Sequence, residues 1–86
     1  MAPVDKPYLE IGARLERLML AMGVPSQAAW ARRHGFNATQ LNNWISGVRR
    51  IPVEHAETLC ESYGVDLDWI YRGRLSGLSE SLRNSL

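Results

Sequence analysis

Five glycines, Gly23, Gly35, Gly47, Gly64 and Gly73, recur along the chain, and each follows a stretch with helical apolar spacing. Glycine is the residue that most readily takes the left-handed turn ending a helix, so a break at each limits every element to a few turns. Pro7 suits a first helical turn. From there Ile11, Leu15, Leu18, Met19 and Met22 form one stripe up to Gly23, and Pro25 prevents continuation. Ser26 caps a second helix, Gln27 to about Arg33, with Ala28, Ala31 and Trp30 inward and Gly35 as its stop. Asn37 caps a third, over about 38–46, before Gly47. Pro52 opens a fourth to about Tyr63, its stripe Ala56, Leu59, Cys60 and Tyr63, closed by Gly64. Asp66 caps a short fifth, Leu67 to about Tyr71, ended by Gly73.

Strands have little support, because Val24, Val48, Val53 and Val65 all sit at or beside the breaks. The expected fold is all-α: a compact five-helix domain over residues 8–73, an N-terminal arm at 1–7 and a tail at 74–86. Leu75, Leu78, Leu82 and Leu86 recur in that tail at spacings of three and four, so a sixth amphipathic helix and a frayed end both stay open. Eighty-six residues suit a single domain, and one cysteine excludes an internal disulfide. The start, Met1 to Lys6, has no apolar stretch of signal-peptide kind. The run Leu18 to Met22 is far short of a membrane span. The expectation is a cytoplasmic chain with no membrane partner.

The net charge of +1 conceals a polar arrangement. Residues 26–52 hold Arg32, Arg33, Arg49 and Arg50 and no acid, whereas residues 53–70 hold Glu54, Glu57, Glu61, Asp66 and Asp68 and no Lys or Arg. A basic block followed by an acidic one gives a dipolar molecule, whatever its average. The basic block coincides with two short helices joined by a tight glycine turn, a helix-turn-helix pattern. On the third helix, at about 100° per residue, Ala38, Thr39, Asn42, Asn43 and Ser46 share one arc. Leu41, Trp44 and Ile45 lie opposite or beside it. Such a helix packs on one side and offers amide and methyl groups suited to base edges in a major groove on the other. Polar residues opposite a core stripe also describe any surface helix, and spacing alone leaves both readings open.

The stretch Ser26-Gln27-Ala28-Ala29-Trp30-Ala31-Arg32-Arg33-His34-Gly35 resembles the SQ-x-x-L-A-x-x-x-G signature of the lambda-repressor-like, Cro-like (XRE-type) helix-turn-helix family. Asn37 to Gly47 resembles that family's recognition helix, Val48-Arg49-Arg50-Ile51-Pro52 its basic loop, and Gly64 to Ile70 its closing segment. The match covers about residues 9–73. It implies that Gln27 bonds a phosphate and braces the recognition helix. It implies that Ala38, Thr39 and Asn43 read base edges, with Asn42 in addition, and that Gln40, Ser46, Arg49 and Arg50 lie near the sugar-phosphate backbone. Adjacent guanidiniums without a nearby acid suit phosphates on physical grounds too. The chain departs from the pattern at Ala38, where a long polar residue is common. It departs also at Val24-Pro25, which lengthens the first connection, and at Trp30, which replaces Leu or Val.

Cys60 reads as a small core residue. His34 and His55, with one cysteine, do not make a metal site, and Glu54, Glu57 and Glu61 read as a solvated face. No catalytic constellation or phosphate loop is recognisable, so neither enzyme activity, nor a cofactor, nor a small-molecule ligand is expected. The expected function is binding of specific double-stranded DNA as a transcriptional repressor. One short reading helix touches few base pairs, so a homodimer on half-sites about 34 Å apart is expected. Trp69, Ile70, Tyr71, Leu75 and Leu78 are the candidate interface. The alternatives are an antitoxin-type module that neutralises a partner protein and a subunit of a phage recombination or lysogeny system.

Overall fold

The chain is described by a computed structural model over residues 6–86. Residues 1–5, most of the expected arm at 1–7, lie outside the described residues. Six helices follow in order: α1 Leu9–Ala21, α2 Gln27–His34, α3 Ala38–Ile45, α4 Val53–Tyr63, α5 Leu67–Arg72 and α6 Glu80–Ser85. Among the described residues no strand occurs, and no helix is long and apolar enough to cross a membrane. The five breaking glycines all have positive φ, between 71° and 86°.

The caps are the expected ones. The Ser26 hydroxyl accepts from the Ala29 N–H at 3.1 Å, Asn37 Oδ1 from the Gln40 N–H at 3.0 Å, and Asp66 Oδ1 from the Trp69 N–H at 2.8 Å. Each satisfies a donor that the first helical turn leaves without a partner.

The expectation of five helices is corrected to six. Ser79 caps α6 through the Leu82 N–H at 3.2 Å. Leu78 is buried at the approach to that helix, while Leu82 and Leu86 pack against the core from it. Leu78, Leu82 and Leu86 thus have a neighbour to bury against, so the tail is not a frayed end, while Leu75 stays exposed. On α2, Ala28 is exposed and Trp30 is fully buried. The helix turns its largest apolar side chain inward, and that rotation carries Ala28 out to solvent.

Leu15 and Leu18 of α1, Trp30 of α2, Leu41 of α3, Ile51, Leu59 of α4 and Ile70 of α5 are sealed from solvent in one core. α1 is the central strut, packing on both α3 and α5. Its contact with α3 depends on Gly12, because a Cβ there would overlap the carbonyl of Ile45. Gly47, with φ of 86°, also sits close under Leu9, and its carbonyl accepts from the Tyr8 N–H at 3.0 Å. The start of α1 is thereby tied to the end of α3. At its other contact, Arg14 Nε donates to the Ile70 carbonyl at 2.9 Å, near the C-terminal end of α5.

Candidate nucleic-acid interface

α2 and α3 form the helix-turn-helix, joined through Gly35, Phe36 and Asn37. The Phe36 N–H donates to the Ala31 carbonyl at 2.9 Å, and the Phe36 ring stands edge-on to Trp44 with 5.5 Å between centroids. Leu41, Trp44 and Ile45 face the core. Ala38, Thr39, Gln40 and Asn42 are exposed, and Asn43 and Ser46 are half-buried. The arc inferred from helical angles is therefore the outward face of α3.

Gln27, at the start of α2, meets this face. Asn42 Nδ2 donates to Gln27 Oε1 at 3.1 Å. The pairing uses the acceptor of Gln27 and leaves its two amide N–H donors for an anion such as a phosphate. It leaves Asn42 with Oδ1 and one N–H, which is both an acceptor and a donor.

The exit from α3 is organised by one carbonyl. Asn43 C=O accepts from the N–H groups of Val48 and Arg49, at 3.0 and 3.1 Å, and from the Ser46 hydroxyl at 3.3 Å. This folds the chain back so that the Asn43 side chain and the basic loop lie side by side. Ser46 spends its O–H donor within the turn, so a bond from it to a phosphate requires that hydroxyl to rotate.

A groove of about 520 Å³ results, lined on the α3 side by Gln40, Asn43 and Trp44 and on the other by Arg49, Arg50, Glu54 and His55. Four expected interface residues, Gln40, Asn43, Arg49 and Arg50, thus share one surface. Arg49 and Arg50 are exposed. Among the described residues the one ion pair is Arg72 with Asp68 at 3.7 Å, so neither arginine is ion-paired, although the Glu54 carboxylate shares their groove. Arg50 lies over the Tyr71 ring, 4.1 Å from its centroid.

A model of the Cro/C1-type helix-turn-helix DNA-binding domain matches residues 14–70, which span α2, α3 and the basic loop. The chain belongs to that Cro/C1-type family. It is also 35% identical over 68 residues, 69% of each chain, to a protein of Escherichia coli strain K12 named "Putative transcriptional regulator YdaS". No solved structure matches. Membership makes the groove beside α3 part of a DNA-binding domain of the regulator type.

Two features of this Cro/C1-type domain escaped reading from sequence. His55, set aside as a lone histidine, lines the groove with its ring tilted 30° to Trp44 at 5.1 Å. Its place three residues beyond the basic loop was the available signal. His34 forms a relay between α2 and α4. Trp30 Nε1 donates to the Tyr63 hydroxyl at 2.9 Å, and Tyr63 Oη lies 2.6 Å from His34 Nε2. Indole nitrogen is a donor only, so the Tyr63 oxygen accepts from Trp30, and its own O–H is free to donate to His34 Nε2 in the tautomer that leaves that nitrogen unprotonated. Burial, and then the charge of Arg33, hold His34 below the ordinary histidine range. The Cys60 thiol is pushed up, first by burial and then by Asp66, which favours its protonated form.

The candidate interface residues of the closing segment require correction. Trp69, Ile70 and Leu78 are 2%, 0% and 5% exposed, spent on the core of their own chain. A side chain already sealed from water gains nothing further from a second copy. Tyr71 is half-buried and donates its hydroxyl to the Ile51 carbonyl at 2.6 Å. Leu75, 43% exposed, alone among the five projects as an apolar surface residue.

Proposed function

We propose that this chain is a cytoplasmic transcriptional repressor that reads a specific duplex sequence with α3 in the major groove. Ala38, Thr39, Asn42 and Asn43 contact base edges. Gln27, Gln40, Ser46, Arg49 and Arg50 set the register on the phosphates. The observation that carries this reading is the junction of two surfaces at the Asn43 turn. Exposed amide and methyl groups on α3 meet two exposed arginines that form no ion pair. The base-reading and phosphate-holding functions of such an interface are different chemistry, and here they adjoin. The family membership and the regulator named among its relatives support the same reading.

A single α3 covers few base pairs, so a homodimer on a two-fold-related site completes the proposal. With Trp69, Ile70 and Leu78 in the core, Leu75 is the contact left to it on the closing segment. Selection of bound sequences from random duplex DNA tests both halves. A palindromic consensus supports a dimeric reader, a single short motif supports a monomeric one, and no enrichment overturns sequence-specific binding.

A further inference from the structure

Tyr71, in the last turn of α5, is distant in sequence from the basic loop but grips that loop at two consecutive residues. Its hydroxyl donates to the carbonyl of Ile51 at 2.6 Å, and Ile51 is itself sealed in the core. Its ring lies beneath the guanidinium of Arg50, whose central carbon is 4.1 Å from the centroid. The first contact anchors the backbone of the loop, and the second anchors the charge it carries.

The geometry decides what Arg50 has left to offer. A guanidinium is planar, and all five of its N–H donors point outward in that plane. A guanidinium whose central carbon sits over an aromatic ring makes that contact without using up its hydrogen-bond donors, and those directed away from the ring stay free. Arg50 is exposed, lines the groove beside Asn43 and Arg49, and pairs with no carboxylate among the described residues. Burial raises the Tyr71 phenol above its ordinary range, against a weaker lowering by Arg50, so the hydroxyl remains a donor at neutral pH. An unsupported arginine would have to give up rotamer freedom on meeting a phosphate, and one held on a ring has already given up part of it.

We propose that Tyr71 is a positioning residue of the DNA interface, holding Arg50 with its donor edge turned to the phosphate backbone. The proposal rests on the DNA-binding reading above. It gives Tyr71 a task inside one molecule in place of a contact between two. It also connects α5 to the phosphate-binding loop, so a change at the closing segment reaches the DNA surface through one ring.

The test is binding to the duplex recovered by selection, measured across a range of salt concentrations for four proteins: the wild type, Tyr71→Leu, Arg50→Ala and the double variant. Tyr71→Leu is expected to weaken binding about two- to five-fold, as loss of an exposed cation–π contact would. It is expected to lower the salt slope by about one, because one phosphate contact loosens. In the Arg50→Ala background the same change is expected to cost clearly less, only what the lost bond to the Ile51 carbonyl contributes. Tyr71→Phe, which keeps the ring and loses that bond, is expected to keep the wild-type slope. Equal losses with and without Arg50, or a slope that does not move, would show a merely structural role and overturn the proposal.

Should Tyr71→Leu fail to fold, the wild type alone still decides. The side-chain protons of Arg50 are expected upfield in its NMR spectrum from the ring current, and to stay there when the duplex is added. Their return to ordinary positions on binding would mean that the stack opens, against the proposal. A wild type that binds no duplex overturns the DNA-binding reading itself, and the role of Tyr71 falls with it. Binding without the Arg50 dependence overturns only the role of Tyr71.

Discussion

The side-chain amide of Asn42 donates to Oε1 of Gln27 at 3.1 Å, joining the outward face of α3 to the first turn of α2. The bond commits one atom of each side chain and thereby orients both. Gln27 is left with two free amide donors and Asn42 with a fixed edge, as the proposed phosphate and base contacts require.

Replacing Gln27 by Ala is therefore expected to do two things. Binding to every duplex should weaken, because a phosphate donor is lost. Discrimination at the base pair nearest Asn42 should also relax, because that amide is released to rotate. Binding measured against a panel of single-base variants separates the two effects. A uniform loss with unchanged discrimination would mean that the pairing with Asn42 does not orient it.

Arg49→Ala combined with Arg50→Ala should weaken binding to all sequences alike. The plot of log affinity against log salt concentration should flatten by about two units for two lost phosphate contacts. Asn43→Ala should behave in the opposite way, shifting preference at one base pair by about 1–3 kcal/mol and leaving the salt slope in place. If Asn43→Ala weakened every sequence equally, its direct readout would be wrong.

Gly12→Ala tests the strut between α1 and α3. Alanine is the better helix former by about 1 kcal/mol, so propensity alone predicts a gain. The added Cβ, however, would overlap the backbone carbonyl of Ile45, and a backbone carbonyl within a packed helix does not swing aside as a side chain does. Overpacking of this kind costs about 1–3 kcal/mol, with the upper part of the range expected against backbone. The net expectation is a loss of about 1–2 kcal/mol, read as a lower urea midpoint. A more stable variant would show that α1 shifts freely over α3.

His34 makes stability depend on pH in a stated direction. Burial and Arg33 hold its folded value below the ordinary 6.5, so on acidification the unfolded chain takes up its proton first. The contribution of the neutral ring is complete above about pH 6.5 and is lost as pH falls through the lowered value. Thermal melts between mildly acidic and neutral pH should show this fall, and His34→Gln should reduce it. A His34→Gln protein with the full wild-type pH dependence would place the effect on other groups. Tyr63→Phe, which leaves Trp30 Nε1 without its acceptor, should cost about 1–3 kcal/mol at neutral pH.

What the sequence by itself determined is local. Gly23, Gly35, Gly47, Gly64 and Gly73 all stand at helix ends, and Ser26, Asn37 and Asp66 cap the helices that follow them. A cap and its helix lie within four residues, and an apolar stripe repeats within one or two turns, so both are legible in a short window. The outward arc of α3 was legible for the same reason. Tertiary structure decided which apolar residues had already found a partner in their own chain. Trp69, Ile70 and Leu78 show the same apolar spacing whether they face a second copy or the core, and only the packing of α1, α4 and α5 puts them in the core. It also decided three contacts between residues far apart in the sequence: Gly12 with Ile45, Trp30 with Tyr63, and Arg50 with Tyr71. Helical periodicity fixes the face on which a side chain stands. What that face meets depends on how the helices cross, and the crossings are set by the close packing of the whole core.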